Sequence, residues 1–423
     1  MKHFVYLGAL ALRSAWNRRL TLGLVMLTIA LSVSMLLGVD RVRRDARDSF
    51  AQSVSGTDLV VGARTSPVQL MLYSIFRMGE ATNNIRWDSA QRLAQHPLVA
   101  WTIPLSLGDS HRGYPVLGTT PAYFERFRYG DARTLEFASG QPFAQLFDTV
   151  LGADVAERLG YRPGDRIALS HGMQDTALSQ HGDKPFIVTG ILRRTGTPVD
   201  RTVHISLEAM EAIHLDWQGG ARMPGLDIPA EHVRKFDLTP KQVTAVLVGL
   251  KSRAAVFRMQ RFINEVRDEP LLAILPGVAL DQLWQVVGVV ERSLLLISSL
   301  VVLVGLCGLV AVVLAGLNER RRELAILRSV GAQPMDILAM LVIEGLLLTV
   351  IGCCLGVLLL AGASALLGPL AESRFGLALP LRLLTAEEVP LLLAVVGVGL
   401  LASLVPGYRA YRLSLSDGLT PRL

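Results

Sequence analysis

Cysteine is scarce in this sequence of 423 residues: there are three, Cys307, Cys353 and Cys354, and all lie inside long apolar runs. The polar part of the chain therefore has no thiol with which to form a disulfide, and its fold must be held by a packed core. Motifs for chemistry are missing as well. There is no G-x-x-x-x-G-K-[ST] loop, because the nearest stretch, VGLKS at 248–252, lacks the second glycine and the spacing, so the chain is not expected to hydrolyse a nucleotide. H-E-x-x-H, G-x-S-x-G and C-x-x-C are absent too, and the reading is of a non-catalytic chain. Nor is there a basic domain. Residues 40–285 carry 28 Lys and Arg against 27 Asp and Glu, so the formal net charge of +6 comes from short flanks elsewhere. Nucleic acid needs a basic patch on the binding domain itself and is excluded as a partner.

Four stretches lack charge almost entirely: 20–39, 293–317, 337–370, broken only by Glu344, and 389–406. About 20 apolar residues cross a bilayer core of roughly 30 Å, so these runs predict four transmembrane helices in a lipid membrane. The first run is too long for the apolar stretch of a signal peptide and has no small-x-small cleavage site after it, so it reads as an uncleaved anchor. The third is longer than one span needs, and part of it must tilt or protrude.

Arginine placement sets the orientation. Lys2, Arg13, Arg18 and Arg19 precede the first run without an acid; 318–336 carries Arg320, Arg321, Arg322 and Arg328; the tail carries Arg409, Arg412 and Arg422. The stretch 371–388 has only Arg374 and Arg382. Positive charge stays inside, which predicts a multi-pass membrane protein with both termini in the cytoplasm. The expected organisation is a cytoplasmic amphipathic segment 1–19, helix 20–39, an extracytoplasmic domain 40–285, helix 286–317, a cytoplasmic segment 318–336, helix 337–370, an outer loop 371–388, helix 389–408 and a tail 409–423.

The outer domain mixes strand and helix signals. DLVVGA (58–63), PGDRIALS, KPFIVTGIL, RTVHISLE and QVTAVLVGL (242–250) are β-branched runs bounded by turn residues. WDSAQRLAQH (87–96), with Asp88 or Ser89 as cap, and SRAAVFRMQRFINEVR (252–267), with Ala255, Met259, Phe262 and Val266 on one stripe, read as helices. The fold class is an α-helical membrane protein of four spans with a mixed α/β domain, in one or two lobes, inserted between the first two.

The stretch NERRRELAILRSVGAQP (318–334) places six charges in eleven residues between two apolar runs. At the bilayer centre they would cost on the order of 15 kcal/mol, so the stretch must leave the membrane. As a helix it groups Ile326, Leu327 and Val330 beside Glu323, with Arg321 and Arg328 opposite; Gly331 is placed to end it and Pro334 to start the next. Arginines alone make topology anchors, but an apolar stripe within the charges is what a docking helix needs.

NERRRELAILRSVGAQPMDILAMLVIEGLLL (318–348) resembles the cytoplasmic coupling segment of the FtsX, MacB and LolC group of ABC-transporter permeases. NRRLTLGLVMLTIALSV (17–33) is similar to that group's N-terminal signature, and VLGADVAERLGYRPGDRIAL with KPFIVTGILRRTG (150–196) to its extracytoplasmic domain. The tail departs, with Ser414 and Leu415 where the group has proline. The resemblance implies a homodimer or paired permease bound to a cytoplasmic ABC ATPase. It carries the coupling role onto Glu319, Arg321, Arg322, Glu323, Ile326, Leu327, Arg328, Val330, Gly331 and Glu344. ATP and Mg²⁺ then belong to the partner ATPase, and no cofactor is expected on this chain through the resemblance. The output is export, substrate extraction or mechanotransmission with a periplasmic adaptor, carrier or binding protein, or activation of an extracytoplasmic hydrolase.

Smaller signals have more than one reading. Gly352 and Gly356 form G-x-x-x-G, which suits close helix packing in a dimer, yet glycine is common in membrane helices. Glu344 is either a first-turn partner of an arginine or part of the coupling. His171, His181 and Asp183 crowd one stretch, with His111, His204 and His214 elsewhere in the domain; such donors suit zinc in a transporter or sensor, or form a solvated loop. The loop 193–203 holds Gly196, Pro198 and Asp200 for turn geometry or for contact with a partner.

Overall fold

In a computed structural model of the chain, the residues described are 19–53, 55–172, 181–218, 221–223, 228–319, 321–329, 331–375 and 382–412. Val330 and the 413–423 tail lie outside them, as do the side chains of Glu319, Arg321, Arg322, Glu323 and Leu327. The chain divides into two compact units, Met1–Asp45 with Gly288–Leu423, and Ala46–Val287.

Among the described residues, five helices supply the first unit: α1 (Arg19–Gln52), α2 (Pro276–Glu319), α3 (Arg321–Ser329), α4 (Pro334–Phe375) and α5 (Val389–Arg412). All but α3 are long and apolar enough to cross a membrane. α1 continues well past the last uncharged residue because the segment after Val39 is still helix-forming, with Arg44 paired to Asp40 one turn back at 2.7 Å. Ile29 and Val33 of α1, Leu306 and Leu309 of α2, Leu341 and Leu348 of α4 and Val395 of α5 form one apolar core.

Glycine sets how closely these helices approach. A Cβ on Gly345 would lie 2.1 Å from Ser403 Oγ, and one on Gly399 would lie 2.6 Å from Thr349 Cγ2, so α4 and α5 each seat a small side chain in a gap left by the other. A Cβ on Gly352 would lie 2.7 Å from Ile29 Cγ2, and one on Gly356 2.8 Å from the Ala30 carbonyl oxygen. Within the chain, α1 packs along Gly352 and Gly356. Near the start of α5, the Glu388 carboxylate accepts two bonds from Arg41, at 2.8 and 2.9 Å, and Arg41 also donates to the Arg382 carbonyl at 2.8 Å.

The second unit is built on one sheet of eleven strands: β1 (Leu59–Ala63), β2 (Val99–His111), β3 (Tyr114–Thr119), β4 (Phe137–Gly140), β5 (Asp148–Leu151), β6 (Arg166–Ile167), β7 (Ser170–His171), β8 (Phe186–Leu192), β9 (Val203–Ser206), β10 (Ala245–Leu250) and β11 (Leu271–Ile274). Their order is β11-β1-β10-β2-β3-β9-β5-β8-β4, with β7 paired to β2 and β6 to β8. Most pairs are antiparallel; β3–β9 and β5–β8 are parallel.

Alternation along the strands gives the sheet two apolar faces. Val60, Ile103, Leu105, Leu117 and Leu247 look to one side, with Leu70 and Met71 of the helix Pro67–Ser74. The other side has two clusters. Leu59, Val61, Val246 and Val248 meet the helices Trp87–Ala94 and Val256–Asn264, and Val116, Leu151, Val203 and Ile205 meet Ala153–Leu159 and Leu207–His214. Two details differ from the sequence reading. Neither Asp88 nor Ser89 caps Trp87–Ala94; Arg86 holds the cap position with no side-chain bond. The stripe of Val256–Asn264 is Val256, Met259 and Ile263, while Phe262 is turned out against His96, 4.8 Å between ring centroids.

Candidate functional site

The α/β unit carries a group of donors, Asp109 and His181 buried and His171 and His214 half-buried, that sequence spacing shows only in part. Asp109 stands on β2 and His171 on β7, and the two are direct partners in the ladder. Between Leu107 and Ser110 the β2–β3 register shifts, with Gly108 and Asp109 opposite the single residue Val116. Before this bulge the odd positions Ile103 and Leu105 face the cluster of Leu117; beyond it His111 lies opposite Tyr114, which belongs to the other face. The extra residue thus turns Asp109 toward the helix Leu207–His214, as bulges near functional sites commonly re-aim a side chain. That helix starts on a Ser206 cap accepting from Ala209 N and ends on His214. His181 completes the group, its backbone N–H donated to Leu169 O at 2.8 Å.

Asp109, His171, His181 and His214 each offer one ligand atom, and these atoms all lie within 4.8 Å of one another. His171 Nδ1 is 3.0 Å from Asp109 Oδ1 and 3.1 Å from His214 Nε2, and His214 Nε2 is 3.4 Å from the same oxygen. Trp217 covers the group, its ring 4.4 Å from that of His181 and 5.6 Å from that of His171. Burial would raise the Asp109 carboxyl, but hydrogen bonds from His171 and His214 outweigh it and hold the group well below the usual carboxylate range. Burial opposes a charge on His214, yet bonding to Asp109 leaves that ring above its ordinary value; His181 is pushed down to about 4, chiefly by burial.

His171 and His181, expected from the sequence, therefore come together. Asp183 does not join them: with Asp216 it holds the fully buried Lys184, at 2.9 and 2.8 Å. Asp109 and His214 take the remaining places. His111 is bound to Ala168 O and Tyr161, and His204 packs on Tyr123 and Phe124, both away from the group. The 193–203 loop is folded around its own buried Asp200, which accepts from Thr195 N and Gly196 N at 2.8 and 2.7 Å.

In the first unit, α3 ends at Ser329, Gly331 takes φ +108°, and α4 begins at Pro334 with Asp336 accepting from Gln333 N at 2.9 Å. A positive φ is open to glycine at little cost and stops a helix. Leu324 and Ala325 are buried; Ile326 is 58% exposed. Glu344 is buried and lines a small cavity with Leu22, Val313, Gly316 and Leu341.

Four helices long and apolar enough to cross a membrane, a mixed α/β unit and a short charged helix between two of them describe the architecture of a membrane protein. Residues 20–261 match the MacB-like periplasmic core domain and residues 295–415 the FtsX-like permease C-terminal family. The first match covers more than half of the chain, which belongs to the FtsX/MacB-type ABC-transporter permease family. Among curated relatives, the macrolide export ATP-binding/permease protein MacB of Azoarcus sp. is 22% identical over 370 residues, 84% of this chain and 51% of that protein. MacB of Acinetobacter baylyi is 37% identical over 87 residues, 20% of this chain and 13% of its own. The chain thus spans about half the length of the Azoarcus relative and far less of the other. Among solved structures, the periplasmic region of MacB from Actinobacillus actinomycetemcomitans covers 55% of this chain and 94% of its own at 10% identity, TM-score 0.33. The extracellular domain of the ABC-type transporter YknZ from Gram-positive bacteria covers 52% and 99% at 11% identity, TM-score 0.29.

Proposed function

We propose that this chain is the permease subunit of an ABC transporter in which a separate cytoplasmic ATPase drives conformational change of the α/β domain, for export, substrate extraction or mechanotransmission. The α/β domain is inserted between the first two membrane helices and faces outward, both termini are cytoplasmic, and two copies pair across the bacterial inner membrane. ATP and Mg²⁺ are bound by the partner, since this chain has no P-loop. A periplasmic adaptor, carrier or binding protein is the expected outer partner.

The observation that carries this reading is α3. Its nine residues lie between two membrane-length helices, are strongly charged, and yet present Ile326 outward while Leu324 and Ala325 turn in. Covering the exposed part of this isoleucine in a groove on a partner would contribute about 1–2 kcal/mol. The stroke then passes from α3 into α2 and α4. Because α1 and α2 contribute residues to both units, they are the elements through which it reaches the α/β domain.

The test replaces Ile326 by Asp, and Leu327 by Asp separately, and measures co-purification of the ATPase subunit and its ATPase rate in mild detergent. Both variants are expected to fold, by thermal melting, and to lose the ATPase. Normal association and stimulation with a folded Ile326→Asp protein sinks the coupling reading.

A further inference from the structure

We infer that Asp109, His171, His181 and His214 form a site for one divalent transition-metal ion of the zinc class inside the α/β domain. Hydrogen bonding at His214 points to it. Its Nδ1 lies 2.8 Å from the Met210 carbonyl oxygen, which can only accept, so Nδ1 carries the proton. The other ring nitrogen, Nε2, faces Asp109 Oδ1 and His171 Nδ1, 3.4 and 3.1 Å away, where it can hold a proton toward the carboxylate or give its lone pair to a metal ion. The three atoms converge on one point, as ligands of a single ion do. A backbone carbonyl that fixes the tautomer of a ligand histidine is also the usual outer-shell support of a metal site.

The partners left over point the same way. His181 is fully buried and, among the described residues, neither ring nitrogen has a hydrogen-bond partner; Asp109 Oδ2 is likewise buried without one. Buried polar atoms are ordinarily paired, and a metal ion would take one of the two His181 nitrogens. The spacing fits as well. Ligands about 2.0 Å from a tetrahedral ion stand about 3.3 Å apart, and three of the separations are 3.0, 3.1 and 3.4 Å. His181 reaches the fourth corner by closing from at most 4.8 Å, a shift of up to about 1.5 Å.

Donor chemistry selects the ion. Three imidazoles and one carboxylate suit zinc, cobalt or nickel and are a poor set for calcium or magnesium, which take oxygen. Four protein ligands fill a tetrahedron and leave no position for a reactive water, so the site holds an ion rather than hydrolysing a substrate. The neighbouring Lys184 is matched by Asp183 and Asp216, a group of net charge −1 that does not repel a cation. This inference is independent of the ATPase coupling.

The experiment uses the full chain in mild detergent, stripped with a chelator, reloaded with zinc and desalted, with bound zinc measured by mass spectrometry. One zinc per chain is expected in the wild type and in His232→Gln, a change at an exposed histidine. His181→Gln and Asp109→Asn are expected to bind more than about 100-fold more weakly, beyond the loss typical of an outer-shell change. A wild-type chain that keeps no more zinc than His181→Gln overturns the inference. Should those variants fail to fold, Trp217 carries the test in the wild type. Cobalt should give the intense visible absorption of a tetrahedral ion and quench emission that Trp217→Phe lacks. A weak octahedral spectrum, or equal quenching in both proteins, overturns it.

Discussion

Removing Glu388 should destabilise the helical unit more than removing Arg41, although the two side chains form one pair. Arg41 and Glu388 are 4% and 0% exposed, so neither charge has water to fall back on. Breaking a buried pair from one side costs about 3–5 kcal/mol, most of it the stranded charge. What is stranded differs. After Arg41→Ala the carboxylate keeps the Thr385 N–H at 3.0 Å and Arg44 at 3.6 Å. After Glu388→Ala the guanidinium keeps, among the described residues, only the Arg382 carbonyl, while Arg44 still has Asp40 and Glu387. The expected losses are about 3 kcal/mol for Arg41→Ala and about 5 kcal/mol for Glu388→Ala. For a unit of this size they correspond to falls of about 6–12 and 10–20 °C in melting temperature. The double variant Arg41→Met with Glu388→Met strands nothing and should return to within about 1 kcal/mol of wild type. Thermal melting of all four proteins in one detergent, followed by far-ultraviolet circular dichroism, checks the series. An Arg41→Ala loss equal to or above that of Glu388→Ala, or a double variant no better than the singles, refutes the reasoning.

Gly352→Val and Gly356→Val should each lower the melting temperature by the equivalent of about 1–3 kcal/mol of overpacking against α1; a variant that melts normally and only loses dimer would return these glycines to a contact between copies. His204 gives a pH dependence. Burial, with the Arg77 charge, pushes its pKa down to about 3, so the folded state takes up its proton less readily than the unfolded chain. The contribution is fully present above the unfolded value of about 6.5 and is lost as pH falls from there toward 3, by about 1.4 kcal/mol per unit. His204→Gln should flatten this acid limb in denaturation curves, and identical limbs in both proteins would count against the assignment.

The four apolar helices were legible because a long uncharged run needs no tertiary information. Their ends were not: charge marks where a membrane stops, whereas Arg44 with Asp40 lets α1 run on to Gln52. The break after α3 was readable from Gly331 and Pro334, which act through their own backbone. Of the donor group, His171 and His181 were visible because they are ten residues apart. Asp109 arrives by strand pairing across 62 residues and His214 by the end of a helix, and neither contact leaves a local signal. Asp183 looked like a ligand because it is near in sequence, but the buried Lys184 claims it. Gly352 and Gly356 announced a close approach without saying to which helix, since the motif specifies space and not its occupant.

The reciprocal seating of Ser403 at Gly345 and Thr349 at Gly399 removes a degree of freedom from the membrane bundle. A slide of α5 along α4 by one turn, about 5.4 Å, would in one direction drive Ser403 onto Thr349. In the other it would leave Gly345 opposite Gly399 with nothing between them. Either shift meets a barrier at the first step, so the two helices are bolted in axial register and can tilt or swing only as one body. A side chain gained at position 345 is therefore tolerable only where one is given up at 403.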